Sequence, residues 1–238
     1  MKQLTALILA LITLLALTGC DMIESEATTT AVVTTKTPTS TTQTTASTTT
    51  AAGAPAHEDL DFTAVTLDKV TETDKETDYV VIDVKDYGKI VIRLFPDVAP
   101  ESVKNFKKLV SEKFYDGIIF HRVIEGFMIQ GGDPDGNGSG GSAQTVKGEF
   151  SSNGFENNLR HVRGVVSMAR TNIPNSASSQ FFICHQGSPH LNGEYAAFGY
   201  VVCGMEVVDA IAKVKTNAND KPLTDVVMTT VRFAEVSG

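Results

Sequence analysis

Alternation of apolar and polar residues at a period of two is what most limits the shapes open to this chain. In "DYVVIDVKDYGKIVIRLF", Ile90, Ile92 and Leu94 fall on one side and Val91, Arg93 and Phe95 on the other, and the turn-forming stretch Asp86 to Gly88 divides the run. A pleated strand points successive side chains to opposite faces, so this spacing predicts a β-hairpin. Further short strands are predicted at 118–124, 127–130, 165–169, 180–184 and 198–202, separated by glycine-rich loops, and "VVMTTVRFAEV" supplies a closing strand. Only two stretches carry the helical period. "APESVKNFKKLVSEKFYDG" opens on Pro100 and Glu101, sets Val103, Phe106, Leu109 and Val110 along one stripe and ends in lysines before Gly117; "GMEVVDAIAKV" groups Val207, Val208, Ile211 and Val214. Strands that succeed one another without helices between them predict a mainly β fold, an antiparallel barrel or sandwich whose ends the two helices cover.

The first 76 residues read differently. Lys2 precedes an apolar run from Leu4 to Leu17, shorter than the roughly 20 residues a membrane span needs. It has the layout of a secretory signal peptide, over residues 1–19. The "LTGC" that follows resembles the lipobox of bacterial lipoproteins. That resemblance implies cleavage before Cys20, lipidation of its sulfur, and a lipid-anchored place at the cell membrane with the domain on the extracytoplasmic side; an uncleaved anchor is the alternative. From Ala27 to Ala52 threonine dominates, and such a segment cannot bury enough apolar area to offset ordering entropy. Residues 20–76 are therefore expected to form a disordered tether, with a reach on the order of 40 Å, and residues 77–238 the folded domain.

Composition removes several function classes. A net charge of −8 argues against a nucleic-acid partner, because phosphate binding needs clustered Lys and Arg. His121, His161, His185 and His190 form no HxxxH or HExxH pattern, so no metal is expected. "DPDGNGSGGSAQ" begins like a calcium loop at Asp133, Asp135, Asn137 and Gly138, but Gln144 stands where the bidentate glutamate belongs. A calcium-dependent adhesin on a threonine stalk is thus a distant reading. The glycines of that loop precede no helix or Lys-Ser/Thr pair, and "NSASSQ" lacks a nucleophile elbow. No cofactor is expected. Cys184 and Cys203 both end strand-like runs, where cysteine behaves as a small apolar residue; a disulfide between them is the alternative.

One stretch, "FHRVIEGFMIQGGD", sets a permanent cation among apolar residues. The period of two places Arg122 with Phe120 and Ile124, Met128 with Gln130, and Gln180 with Phe182, leaving Phe181 and Ile183 on the opposite face. If these strands are neighbours, they form a shallow apolar pocket holding a guanidinium and two amides, without acid, nucleophile or metal. The plainer reading is an arginine reaching from the sheet to water.

From about Thr77 onward, "FHRVIEGFMIQGGD", "GVVSMA", "NSASSQFFIC" and "LNGEYAAFG" resemble, in order and spacing, the motifs of cyclophilin-type peptidyl-prolyl isomerases. The resemblance implies a closed eight-stranded antiparallel β-barrel with two helices and a proline-binding groove on its outer surface. It casts Arg122 as the catalytic arginine, Phe127, Met128, Phe182 and Leu191 as the proline pocket, and Gln130 and Gln180 as holders of the substrate backbone. Ala169 and the main chain of Arg170 would bind the neighbouring peptide, with His190 and Tyr195 also at the substrate. Four positions depart from the best-known pattern: Glu125 for proline, Arg170 for asparagine, His190 for tryptophan and Tyr195 for histidine. The change at His190 removes an indole N–H that in the family helps hold cyclosporin. The implied function is isomerisation of X–Pro bonds in exported proteins by a monomer that uses non-covalent transition-state stabilisation. A module that binds proline-containing peptides without turning them over is the alternative.

Overall fold

The computed structural model describes residues 56–237, so residues 1–19, Cys20 and the threonine-rich run lie outside them. The strands are β1 (Val70–Thr73), β2 (Tyr79–Val84), β3 (Gly88–Leu94), β4 (Arg122–Ile124), β5 (Met128–Gly131), β6 (Val165–Met168), β7 (Phe181–Cys184), β8 (Ala197–Cys203) and β9 (Met228–Val236). They make one antiparallel sheet in the order β1-β9-β2-β3-β8-β6-β7-β5-β4. The helices are α1 (Pro100–Ser111) and α2 (Met205–Ala212). The expected count of eight strands is corrected to nine, and the ladder of named strands runs open from β1 to β4. The approaches to β4 and β9 do meet: Phe120 N–H donates to Val226 O at 2.9 Å and Met228 N–H to Ile118 O at 2.9 Å, around a bridge between Ile119 and Val227.

The added strand comes from the expected tether, which reached too far. Residues 56–76 hold short 3-10 turns at His57–Asp59 and Leu67–Lys69, and β1 pairs with β9 from Val70↔Val236 to Thr73↔Phe233. The reason is tertiary. Phe62 sets its ring edge-on to Phe95 and Tyr200, with centroids 5.7 and 4.7 Å away, and Val65 N–H donates to Val202 O at 2.9 Å. The few apolar residues of this strap carry no period of their own. Their partners lie far along the chain, on β8 and β9, at Phe95 just after β3, and in the outer cluster that holds Met128 and Phe182.

The hairpin forms as the alternation requires. Asp86 at φ 66° and Gly88 at φ 113° turn the chain, and β2 pairs with β3 from Tyr79↔Arg93 to Val84↔Gly88. Ile90, Ile92 and Leu94 then enter the main core, where they meet Val103, Phe106, Leu109 and Val110 of α1 and Val207, Val208 and Ile211 of α2. Phe106 lies 5.2 to 5.4 Å from the rings of Tyr115, Phe181 and Phe198. Each such ring contributes on the order of 1.5–3 kcal/mol by leaving water. The N-cap of α1, Ala99, has no side-chain acceptor to offer, and Glu149 supplies one from a distant loop. Its carboxylate accepts the N–H groups of Glu101 and Ser102 at 2.9 and 2.8 Å and the Ser102 hydroxyl at 2.7 Å. An anion at the positive end of the helix satisfies donors that would otherwise be orphaned.

β5, β6, β7 and β8 are buried on both faces, and alternate residues join different clusters. Ile129, Val166, Phe181, Ile183 and Phe198 point into the main core, whereas Met128, Val165, Phe182, Cys184 and Ala197 belong to an outer cluster with Leu159 and Leu191. The paired glycines at the end of β5, Gly131 and Gly132, are required by close approach. A Cβ at Gly132, whose φ is 85°, would collide with Ser179 O, and one at Gly131 would lie 3.1 Å from Ile119 O.

Candidate active site

Strand register brings the predicted groups together. Across β4, β5, β7 and β6 the pairs Arg122↔Gln130, Gln130↔Phe182 and Phe182↔Ser167 form one row, so the cation, the amide and the ring stand side by side on the outer face. Phe120 is not on that face as expected. It is fully buried in the main core, because the chain turns irregularly before β4 begins at Arg122 and breaks the alternation there.

Over this row lies a cleft of about 490 Å³ lined by Arg122, Phe127, Met128, Gln130, Ala169, Arg170, Phe182, Leu191 and Tyr195 among the expected residues. Its floor is apolar: Met128, Phe182 and Leu191 are 1%, 5% and 7% exposed. Phe182 is held from beneath by His161, stacked 6.0 Å away, and from the side by Tyr195, edge-on at 5.9 Å. Asn192 Oδ1 accepts His161 N–H at 2.7 Å and faces Nδ1 at 3.2 Å, so Nδ1 carries the proton and Nε2 accepts from Ser167 Oγ at 3.0 Å. Burial, which disfavours the imidazolium, pulls the His161 pKa down to about 4.

Two expected residues stand outside the lining. His190 packs its ring on Phe127 at 5.5 Å and braces the rim. Gln180 has its amide fully used: Nε2 donates to Gly138 O at 3.1 Å and Gly140 O at 2.7 Å, and Oε1 accepts Gln130 Nε2 at 2.9 Å. It orients Gln130 and ties the 133–141 loop to the row. That loop is self-capped. Burial alone would raise the Asp133 pKa, but the backbone N–H groups of Asp135, Gly138, Asn137 and Gly140 outweigh it and hold the carboxyl below its ordinary value. The acid that opened the apparent calcium pattern thus spends its oxygens on its own loop, with bonds of 2.8 Å from Asp135 and 3.0 Å from Asn137.

Phe127 and its turn are fixed by His185. Its N–H donates to Phe127 O at 2.9 Å, Nδ1 accepts Gly126 N–H at 2.9 Å, and Nε2 meets Asp209 Oδ1 at 3.2 Å, while Arg163 takes both Asp209 oxygens at 2.7 and 2.8 Å. Arg170 is likewise a buttress. Its guanidinium lies between Phe150 and Tyr195, 4.9 and 4.6 Å from the ring centres, and donates to Glu194 O and Thr171 O. Only 12% of its side chain is exposed, so it braces the wall of the cleft it lines. Glu125 is exposed in the turn between β4 and β5.

The polar end of the cleft was not foreseen. His121, Gly136, Asn137, Gly138, Asn217, Asn219 and Lys221 line it as well. Burial lowers the His121 pKa, Asp133 opposes that, and Lys221 and Arg122 reinforce it. These residues lie in loops, where no period marks them. Cys184 and Cys203 are free, and burial pushes the Cys184 thiol up to about 12. Among the described residues no group of three His, Cys, Asp or Glu side chains is placed to hold a metal, and no helix is long and apolar enough to cross a membrane.

The model of the family described as cyclophilin type peptidyl-prolyl cis-trans isomerase/CLD matches residues 79–233. A peptidyl-prolyl cis-trans isomerase of Arabidopsis thaliana is 45% identical over 140 residues, covering 58% of this chain and 86% of its own. Peptidyl-prolyl cis-trans isomerase B of Bacillus subtilis is 45% identical over 131 residues, 55% of this chain and 87% of that one. A crystal structure of a Cryptosporidium parvum cyclophilin type isomerase in the presence of the dipeptide Ala-Pro matches with a TM-score of 0.60 and 34% identity, over 65% of this chain and 98% of that one.

Proposed function

Because the chain belongs to the cyclophilin-type peptidyl-prolyl cis-trans isomerases, we propose that it turns X–Pro bonds in exported proteins, with Arg122 as the catalytic residue. The barrier it faces is the partial double-bond character of the imide, close to 18–20 kcal/mol in ordinary peptides, while the two end states differ by only about 0.5–1 kcal/mol. At the perpendicular geometry conjugation is lost and the prolyl nitrogen gains a lone pair able to accept a hydrogen bond. A guanidinium donating to that lone pair acts on the transition state and on neither planar ground state, which is what a rate enhancement requires. The apolar floor of Phe127, Met128, Phe182 and Leu191 grips the pyrrolidine ring, Gln130 and the main chain at Ala169 and Arg170 hold the peptide on one side, and the other side swings. No proton or covalent bond changes hands.

One observation carries this reading: the row Arg122, Gln130 and Phe182, fixed by strand register beside an apolar floor. Its test is the isomerisation rate of a short X–Pro peptide. Arg122→Ala is expected to lower kcat/KM by about 10²–10³, the cost of losing one charge-stabilising donor. Rates for both proteins no faster than the uncatalysed reaction would leave a peptide-binding module in its place.

The bonds between the approaches to β4 and β9 support reading the sheet as a barrel closed at that seam. Export and anchoring through Cys20 rest on Lys2, the apolar run and "LTGC". Cys20→Ala should move the protein from the membrane to the soluble fraction; retention in the membrane would overturn the lipid anchor. A monomeric state is part of the same proposal.

A further inference from the structure

Asp220 stands where the backbone favours glycine. It adopts φ 60°, one of three non-glycine residues at positive φ among those described. The turn that carries it is fixed from both sides. Asn217 Oδ1 accepts the N–H groups of Asn219 and Lys221 at 2.9 and 3.1 Å, Asn217 N–H donates to Lys221 O at 2.8 Å, and Lys221 Nζ donates to Gly136 O at 2.9 Å. Asp220 O also accepts the N–H of Val123 at 2.8 Å, which registers the turn against β4 at the residue next to Arg122. From that place its carboxylate lies 3.5 Å from Arg122 Nε, and it is the one carboxylate among the described residues paired with this guanidinium.

Both side chains are about two-fifths exposed, and ion pairs of that kind contribute little to folding stability. The effect of the pair lies in orientation. A long arginine in water samples many rotamers, each with its donors aimed elsewhere; a carboxylate 3.5 Å from Nε favours those that keep the charges close and leaves the Nη1 and Nη2 hydrogens for the cleft that Arg122 lines. We propose that Asp220 is a positioning residue for isomerisation, drawing the Nε side of the Arg122 guanidinium toward its carboxylate by ion pairing so that the Nη donors meet the prolyl nitrogen as the bond turns. This rests on the reading of Arg122 given above.

The decisive variant is Asp220→Gly, because glycine suits φ 60° and the fold should keep its thermal midpoint or gain slightly. We expect kcat to fall about tenfold with KM changed by less than about twofold, since the loss concerns the transition state alone. Asp220→Asn, which suits the same backbone angle but carries no charge, should lose nearly as much rate as Asp220→Gly, since the hold is an ion pair. In the Arg122→Ala background Asp220→Gly should change nothing further, as residues acting through one another do not add. The Arg122 Nε–H signal in a nitrogen-15 NMR spectrum should exchange with water faster in Asp220→Gly than in the parent. Unchanged kcat in Asp220→Gly beside a crippled Arg122→Ala would overturn this inference and spare the parent reading. Full activity in Arg122→Ala would overturn both.

Discussion

Phe181 and Phe182 are neighbours on β7 and belong to different parts of the molecule. Phe181 is fully buried among the rings of Phe106, Tyr115 and Phe120, 5.4 to 6.3 Å away. Phe182 points outward to the floor of the cleft, backed by His161 and Tyr195. The inner ring is surrounded by other hydrocarbon and needs nothing else to stay put. The outer ring must remain available to a ligand, so part of its support is a polar chain, Ser167, His161 and Asn192, whose bonds are directional and hold the ring's neighbours in place without covering it. One face of the sheet is held by packing and the other by packing plus a hydrogen-bonded backing.

The sharpest break in that contrast is expected at Phe181→Ala, which should cost about 3–5 kcal/mol of folding stability in chemical denaturation; the surviving folded fraction should retain its KM. Phe182→Leu reverses the pattern. Peptide titrations should show KM rising about tenfold, while the melting temperature drops by only about 2–4 °C for each kcal/mol lost. The polar backing has its own signature in pH. His161 is held neutral with its pKa lowered from 6.5 to about 4. As pH falls below 6.5 the unfolded chain takes up a proton that the native state refuses, so stability present in full above pH 6.5 is lost down to about pH 4, at up to about 1.4 kcal/mol per pH unit. Melting curves across that window should show this slope, and His161→Gln should flatten it. The smallest effect is expected at Glu149→Gln, away from the cleft: about 1 kcal/mol for weakening the cap of α1, read by denaturant midpoint, with kcat/KM unaltered.

This division was largely legible in the sequence, because a period of two assigns faces without knowledge of neighbours. Phe181 and Ile183 against Phe182, or Ile90 and Ile92 against Val91, sort correctly from spacing alone. Phe120 fails because the alternation holds only inside a continuous strand, and the chain is irregular ahead of Arg122. Gln180 was seen as a group facing the peptide, but its donors are taken by Gly138 and Gly140, two carbonyls of a loop that spacing cannot place. The strap at residues 56–76 was missed for the same reason as Asn217 to Lys221. Both are ordered by partners far along the chain, and neither carries a periodic signal of its own.

The place of β1 at one end of the strand order has a mechanical side. A pull entering at residue 56 is borne first by Leu60 and Phe62, which pack on the outer cluster of Met128, Phe182 and Leu191, and then by the β1–β9 ladder. Traction on the N-terminal side would therefore reach the residues that grip a proline through shared packing, so the strap ties the cleft to whatever load that side carries.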